Sequence, residues 1–344
     1  MSRRSLTLLI AAVGTAVAIA VSVLIPVPYV ILGPGPTLNT LGKDSSGQPL
    51  IVISGHPTYP TNGHLNMVTV SYQGCQGDTF NIFTALVAWL NPHEAVVPDS
   101  EICPAGQTQQ QTQQQDTQEM TSSEQAATAA ALTELGIPYQ TQVVVLQTVP
   151  GYPADGVLKA GDVITAVNGK PVTSESDLST LISAHPAGST LTVTVLRGGQ
   201  TQQVQVSTKL SGGHPTMGVY ITEQYKFPFD VKISVGDIGG PSAGLMFALG
   251  IIDKLTPMNL TGGKFIAGTG EIEASGKVGP IGGIQQKMIA ARQAGATIFL
   301  TPTSNCPDTK GAVPAGLRLV SVSTLSQAVS DLEAIEVGQQ VPSC

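Results

Sequence analysis

Apolar and polar positions divide the chain into stretches of different period. Residues 5–27 are apolar almost without interruption and carry no charge, directly after Arg3-Arg4. About twenty such residues span a bilayer as a helix, and basic residues ahead of them hold the N-terminus in the cytoplasm. The stretch therefore predicts an uncleaved single-pass anchor to the cell membrane. A cleaved signal peptide is the rival, but its shorter apolar core would close at a small-x-small site, whereas residues 21–27 stay apolar. Either reading puts the remainder of the chain outside the cytoplasm. After a Pro/Gly-rich exit at 26–36, residues 50–71 read as short β-prone runs between Gly, Pro and Asn turns. Between 78 and 90, Phe80, Phe83, Ala85, Leu86 and Leu90 fall at helical spacing, and Asn91-Pro92 ends the run. Residues 107–118 are a Gln/Thr tract with too few apolar side chains to bury anything, and read as a mobile surface loop. Ser122-Ser123-Glu124-Gln125 then opens an Ala-rich helix that stops at Gly136-Ile137-Pro138.

Residues 143–207 make a compact β-rich pattern of their own. It has a strand at 143–146, two short strands between glycine turns at 153–170, a helix at 176–183 and a hairpin across Arg197-Gly198-Gly199-Gln200. Beyond it, Val231-Lys232-Ile233-Ser234-Val235 alternates as a strand, and Gly239-Gly240-Pro241-Ser242-Ala243-Gly244 turns into the apolar helical run 245–252. A last clear helix lies between glycines at 282–295.

Composition narrows the class. The chain of 344 residues has room for two or three domains, and its 42% apolar content is that of a globular protein. Only 11% of residues are charged and the net charge is -7, without a Lys/Arg cluster, so no nucleic-acid partner is expected. Cys75, Cys103, Cys306 and Cys344 form no C-x-x-C pair and have no histidine pairing, so no metal site is expected. Three disulfide pairings are open to them; sequence neighbourhood favours Cys75 with Cys103 and Cys306 with Cys344, against unpaired buried thiols. No cofactor is expected, and no Gly-x-x-x-x-Gly-Lys-Ser/Thr phosphate loop occurs.

Two residues stand out chemically. Ser242 falls at a helix N-terminus, where free N–H groups and the helix dipole favour negative charge. A serine there either caps the helix or attacks a carbonyl whose oxyanion the backbone around Gly240, Pro241 and Ala243 stabilises. A nucleophilic serine needs a base. None of His56, His64, His93, His185 and His214 comes with an evident orienting carboxylate. Lys287 is the better base, because at helical spacing it shares a face with Gly283, Ile284, Ala290, Ala291 and Ala294. Burial there would disfavour the ammonium form and leave a neutral amine; the alternative is a lysine whose head snorkels to water.

Residues 156–169, reading Gly-x-Leu-x-x-Gly-Asp-x-Ile-x-x-x-Asn-Gly from Gly156 to Gly169, resemble a PDZ domain. The resemblance implies a groove that takes a C-terminal peptide as an added strand, with its carboxylate-binding loop near Ile137-Pro138-Tyr139. A small β domain that merely packs on its neighbour is the plainer reading. Gly240-Pro241-Ser242-Ala243-Gly244, Thr269-Gly270-Glu271-Ile272 and Gly276-x-Val278-x-Pro280-Ile281-Gly282-Gly283-Ile284-x-x-Lys287 resemble the proteolytic domain of Lon proteases. That resemblance implies peptide hydrolysis by a dyad of Ser242 and Lys287, with Thr269 holding the lysine and Glu271 as a structural acceptor. It also makes a homo-oligomer plausible. One departure is Gly239, where the family has aspartate; Asp237 stands two places earlier.

The expected architecture is α+β: an anchor at 1–28, a β/α region at 29–136 that belongs to the protease fold or stands apart, a PDZ-like module at 137–210 and a Lon-type domain at 211–338. The layout resembles membrane-anchored bacterial PDZ–Lon-type peptidases. It implies an ATP-independent serine endopeptidase for flexible or unfolded exported or cell-envelope polypeptides, with the PDZ-like module capturing termini or regulating access. The competing class is a non-catalytic anchored scaffold whose function is peptide binding.

Overall fold

The computed structural model describes residues 3–44, 46–75, 80–103, 106, 108–236 and 238–344. The chain divides into two compact units, Met1–Gly136 joined by Phe229–Cys344, and Ile137–Pro228. Its architecture is mixed α/β.

The first unit opens with α1 (Arg3–Leu24). Among the described residues no helix is long and apolar enough to cross a membrane. This overturns the transmembrane anchor, and with it the single-pass placement with a cytoplasmic N-terminus. Arg3 and Arg4 stand inside the helix rather than ahead of it, and Ser5, Thr7, Gly14, Thr15 and Ser22 dilute its apolar run. Next come β1 (Tyr29–Asn39), β2 (Ile51–Ser54), β3 (His64–Gln73), α2 (Ile82–Leu90), β4 (Ala95–Pro98), α3 (Asp99–Ile102) and α4 (Gln109–Glu134). Asn81 caps α2 by accepting from the Phe83 and Thr84 N–H groups; the earlier helix start expected at 78 lies outside the described residues.

The Gln/Thr tract is helix, not loop. Thr108 and Gln111 close a capping box at the start of α4, and glutamine itself disfavours helix little. The later turns bury Met120, Ser123, Ala127, Ala130 and Ala131, so tertiary packing carries a helix that its polar N-terminal half does not advertise.

The second unit holds β5 (Gln140–Thr148), β6 (Val163–Val167), β7 (Lys170–Pro171), α5 (Glu175–Ser183), β8 (Thr190–Arg197), β9 (Gln200–Ser207), β10 (Lys209–Ser211), β11 (His214–Thr216) and β12 (Val219–Lys226). Its main sheet runs β12-β5-β6-β8-β9, with β7 pairing β6. Val143, Leu158, Ile164, Leu178, Val193 and Val206 form its core. Asp162 is almost fully buried and accepts from Nε and Nη2 of Arg197, which holds its carboxyl below the usual range.

The chain then re-enters the first unit with β13 (Asp230–Ile233), which pairs with β2. It continues through α6 (Gly244–Leu255), β14 (Phe265–Gly268), β15 (Glu271–Ile272), β16 (Val278–Gly279), α7 (Ile284–Ala294), β17 (Ile298–Pro302), β18 (Arg318–Val322) and α8 (Leu325–Glu336). One six-stranded sheet of order β18-β17-β14-β3-β1-β4 takes strands from both sides of the second unit. β3, β14, β17 and β18 are parallel, and β1 is antiparallel to β3 and β4. Ile284, Met288 and Ala291 of α7 pack with Val68 and Phe299 on this sheet. Cys75–Cys103 and Cys306–Cys344 are the disulfides, both in the first unit, as neighbourhood favoured.

Candidate active site

Ser242 lies in the turn into α6, which is among the most completely buried helices: Leu245, Met246, Phe247, Ala248 and Leu249 are inaccessible. The N-cap is Ala243, with no side-chain cap bond, so Ser242 does not cap the helix. Its carbonyl oxygen accepts from Gly270 N–H at 2.8 Å and from Thr269 Oγ1 at 2.9 Å.

Lys287 reaches the same point from α7. That helix starts at Gly283 in the left-handed region, φ 66°, where a Cβ would stand 2.6 Å from Val70 Cγ2. Glycine thus lets α7 begin against β3, and the next turn carries Lys287 inward. The lysine is 3% exposed. Its Nζ donates to Ser242 Oγ at 2.8 Å and to Thr269 Oγ1 at 3.2 Å. Burial pushes its pKa down to about 8, partly opposed by the carboxylate of Glu271. Glu271 borders the cleft but forms no ion pair with Lys287 among the described residues; burial raises its own pKa, Glu119 adds to this, and Lys287 opposes it.

The three loop residues expected around the nucleophile are not equivalent. Gly240 N–H donates to Asp116 O at 3.1 Å, and Pro241 has no N–H. Among the described residues no acceptor is found for the Ser242 or Ala243 N–H, and both stand at the start of α6, where the helix dipole is positive. A cleft of about 470 Å³ opens over Ser242 and Lys287, walled by Leu32, Met67, Val70, Met120 and Ile281 and edged by Tyr72 and Asp116. None of the five histidines borders it.

Sequence reasoning missed α4 as part of this site. Asp116 and Ser123 touch the loop before Ser242 through Gly240 and Pro241. Ser123 is separated from Pro241 by 118 residues, and no local spacing signals that contact. Asp237 lies outside the described residues.

Residues 224–333 match the Lon protease (S16) C-terminal proteolytic domain. The similarity supports a serine peptidase. The Lon protease of Roseiflexus castenholzii is 46% identical over 69 residues, 20% of this chain and 8% of that protein. The Lon protease of Syntrophomonas wolfei subsp. wolfei is 31% identical over 134 residues, 36% of this chain and 16% of that protein. The chain thus spans less than a fifth of the length of these curated relatives. Residues 111–208 match a PDZ domain. The PDZ domain of the SdrC-like protein Lin2157 from Listeria innocua is 26% identical, covering 23% of this chain and 92% of that one, at a TM-score of 0.22.

A peptide added as a strand needs a sheet edge. β5 is paired on both sides, by β12 and β6, so a ligand loop before it near Ile137-Pro138-Tyr139 would serve no free edge. The edge strand beside α5 is β12, whose Glu223 Oε1 accepts the Glu175 N–H at the start of that helix. The turn that feeds this edge runs through Met217-Gly218, beyond the matched PDZ residues.

Proposed function

We propose that the chain is an ATP-independent serine endopeptidase acting through a dyad of Ser242 and Lys287 on unfolded or flexible polypeptides. The observation that carries this reading is the 2.8 Å approach of Lys287 Nζ to Ser242 Oγ inside a buried, apolar setting. Neutral Lys287 accepts the Ser242 hydroxyl proton as Oγ attacks the scissile carbonyl carbon. Ser242 and Ala243 N–H bind the oxyanion. As the tetrahedral species collapses, the C–N bond breaks and the Lys287 ammonium gives its proton to the leaving amine. Water, deprotonated by the regenerated amine, then hydrolyses the ester on Ser242. Thr269 orients both partners, since its hydroxyl oxygen meets Nζ while its hydrogen goes to the Ser242 carbonyl. Glu271 acts through charge, setting the lysine's proton affinity.

The PDZ-like module is proposed to hold polypeptide termini along β12, capturing substrate or regulating access. The two disulfides fit substrates of an oxidising compartment.

The test is release of peptides from labelled casein by the full chain, with Ser242→Ala and Lys287→Ala beside it. Both variants are expected to be at least about a thousandfold slower. Equal rates in all three proteins would sink the dyad, and absence of cleavage together with peptide binding by residues 137–228 would favour the scaffold reading.

A further inference from the structure

We propose that Ser123 is a positioning residue for the nucleophile, and that α4 completes the active site by fixing the loop that presents Ser242. The inference rests on the Ser242–Lys287 reading and adds a residue to it.

Three peptide units around Ser242 are held from two sides. Ser123 Oγ donates to Pro241 O at 2.9 Å, and the Asp116 carbonyl accepts the Gly240 N–H at 3.1 Å. On the far side Thr269 and Gly270 hold the Ser242 carbonyl. The bond from Ser123 is not the ordinary behaviour of a helical hydroxyl, which returns to the carbonyl four residues back. Thr117, Thr121, Thr128 and Thr133 of the same helix do that. Ser123, 5% exposed, turns outward to the loop instead.

The loop is also shaped to receive α4. A Cβ on Gly239 would stand 2.5 Å from Asp116 Cβ, and one on Gly244 would stand 2.9 Å from Ser123 Oγ. Neither approach survives a side chain. Gly239 in place of the family's aspartate therefore has a steric reason here: the Asp116 side chain enters the space a residue at 239 would fill. Pinning matters because reacting atoms misplaced by about 1 Å lose about a hundredfold in rate. Without the Ser123 bond, Pro241 O loses its donor from α4 and the loop loses one of its tethers to that helix.

Casein hydrolysis by the full chain separates these roles. Ser123→Ala is expected to lower kcat by about ten- to a hundredfold with KM within about twofold, since the hydroxyl orients the nucleophile and does not bind substrate. The acid limb of its pH profile should stay in place, because Lys287 is untouched. Thr121→Ala, which removes a hydroxyl bonded only within α4, is expected to keep wild-type rates. Gly239→Ala should reproduce the kcat loss by pushing α4 off the loop. Wild-type kcat in Ser123→Ala, with Ser242→Ala inactive, would overturn the inference and leave the dyad standing. A loss in Ser123→Ala that merely follows its unfolded fraction by circular dichroism would overturn it too. Full activity in Ser242→Ala would remove the dyad, and this inference with it.

Discussion

Lys287 sets the pH behaviour of the site. In the proposed dyad its amine acts as base only when neutral, and burial brings that form within reach by lowering the pKa to about 8. Casein hydrolysis is therefore expected to rise with pH through about 8 and then level, read as the acid limb of the pH–rate profile. Glu271 favours the ammonium form, so Glu271→Gln should move that limb to lower pH. The same burial has a cost in stability. The folded-state value lies below the ordinary 10.5, so at neutral pH the fold must hold a charge that burial disfavours, at a cost on the order of 3 kcal/mol. The penalty is fully present below about pH 8 and is relieved as pH rises from there towards 10.5. Lys287→Met, inactive, is expected to melt several degrees higher than the wild-type chain at pH 7, and thermal denaturation measures it. A melting point unchanged or lowered would show that the hydrogen bonds to Ser242 and Thr269 outweigh the desolvation.

At the scale of elements, the two helices that deliver Ser242 and Lys287 were legible because both begin next to glycines. Gly239-Gly240 before Ser242, and Gly282-Gly283 before α7, mark where backbone must turn tightly. α4 was not legible. Its first turns are Gln and Thr without an apolar stripe, and its partner surface on α6 and the Ser242 loop comes from residues more than a hundred positions away. A shorter but still long separation hid the free edge of the second unit, since β12 follows the matched PDZ pattern and pairs back to the first strand of its unit. The N-terminal stretch failed differently: apolar composition was read as a span, while α1 begins with its two arginines inside the helix. α5 has two acceptors for the N–H groups at its start. Ser174 caps it through Asp177 N–H, and Glu223 takes the Glu175 N–H from β12. Glu223→Ala is expected to cost the isolated 137–228 unit about 1 kcal/mol in urea denaturation.

At the scale of the molecule, two units imply two melting events. Both disulfides lie in the first unit, closing loops of 28 and 38 residues. Each such loop constrains the unfolded chain by roughly 3–4 kcal/mol. Calorimetry of the full chain under reducing conditions is expected to lower one transition strongly and leave the other in place. The unmoved transition should coincide with that of residues 137–228 alone. A common shift of both would mean the units melt as one.

Consider finally the parallel pairing of β3 with β14, which joins His64 to Phe265. A ribosome delivers β3 and α4 first, then the whole 137–228 unit, and only afterwards Ser242, Thr269 and Lys287. The early half can neither close its sheet nor seat α4 until the late half arrives, and such distant contacts form slowly. The order of synthesis therefore works as a time lock on the proposed peptidase. Its PDZ-like unit can be folded, with β12 along one edge, while the pair of Ser242 and Lys287 has yet to meet.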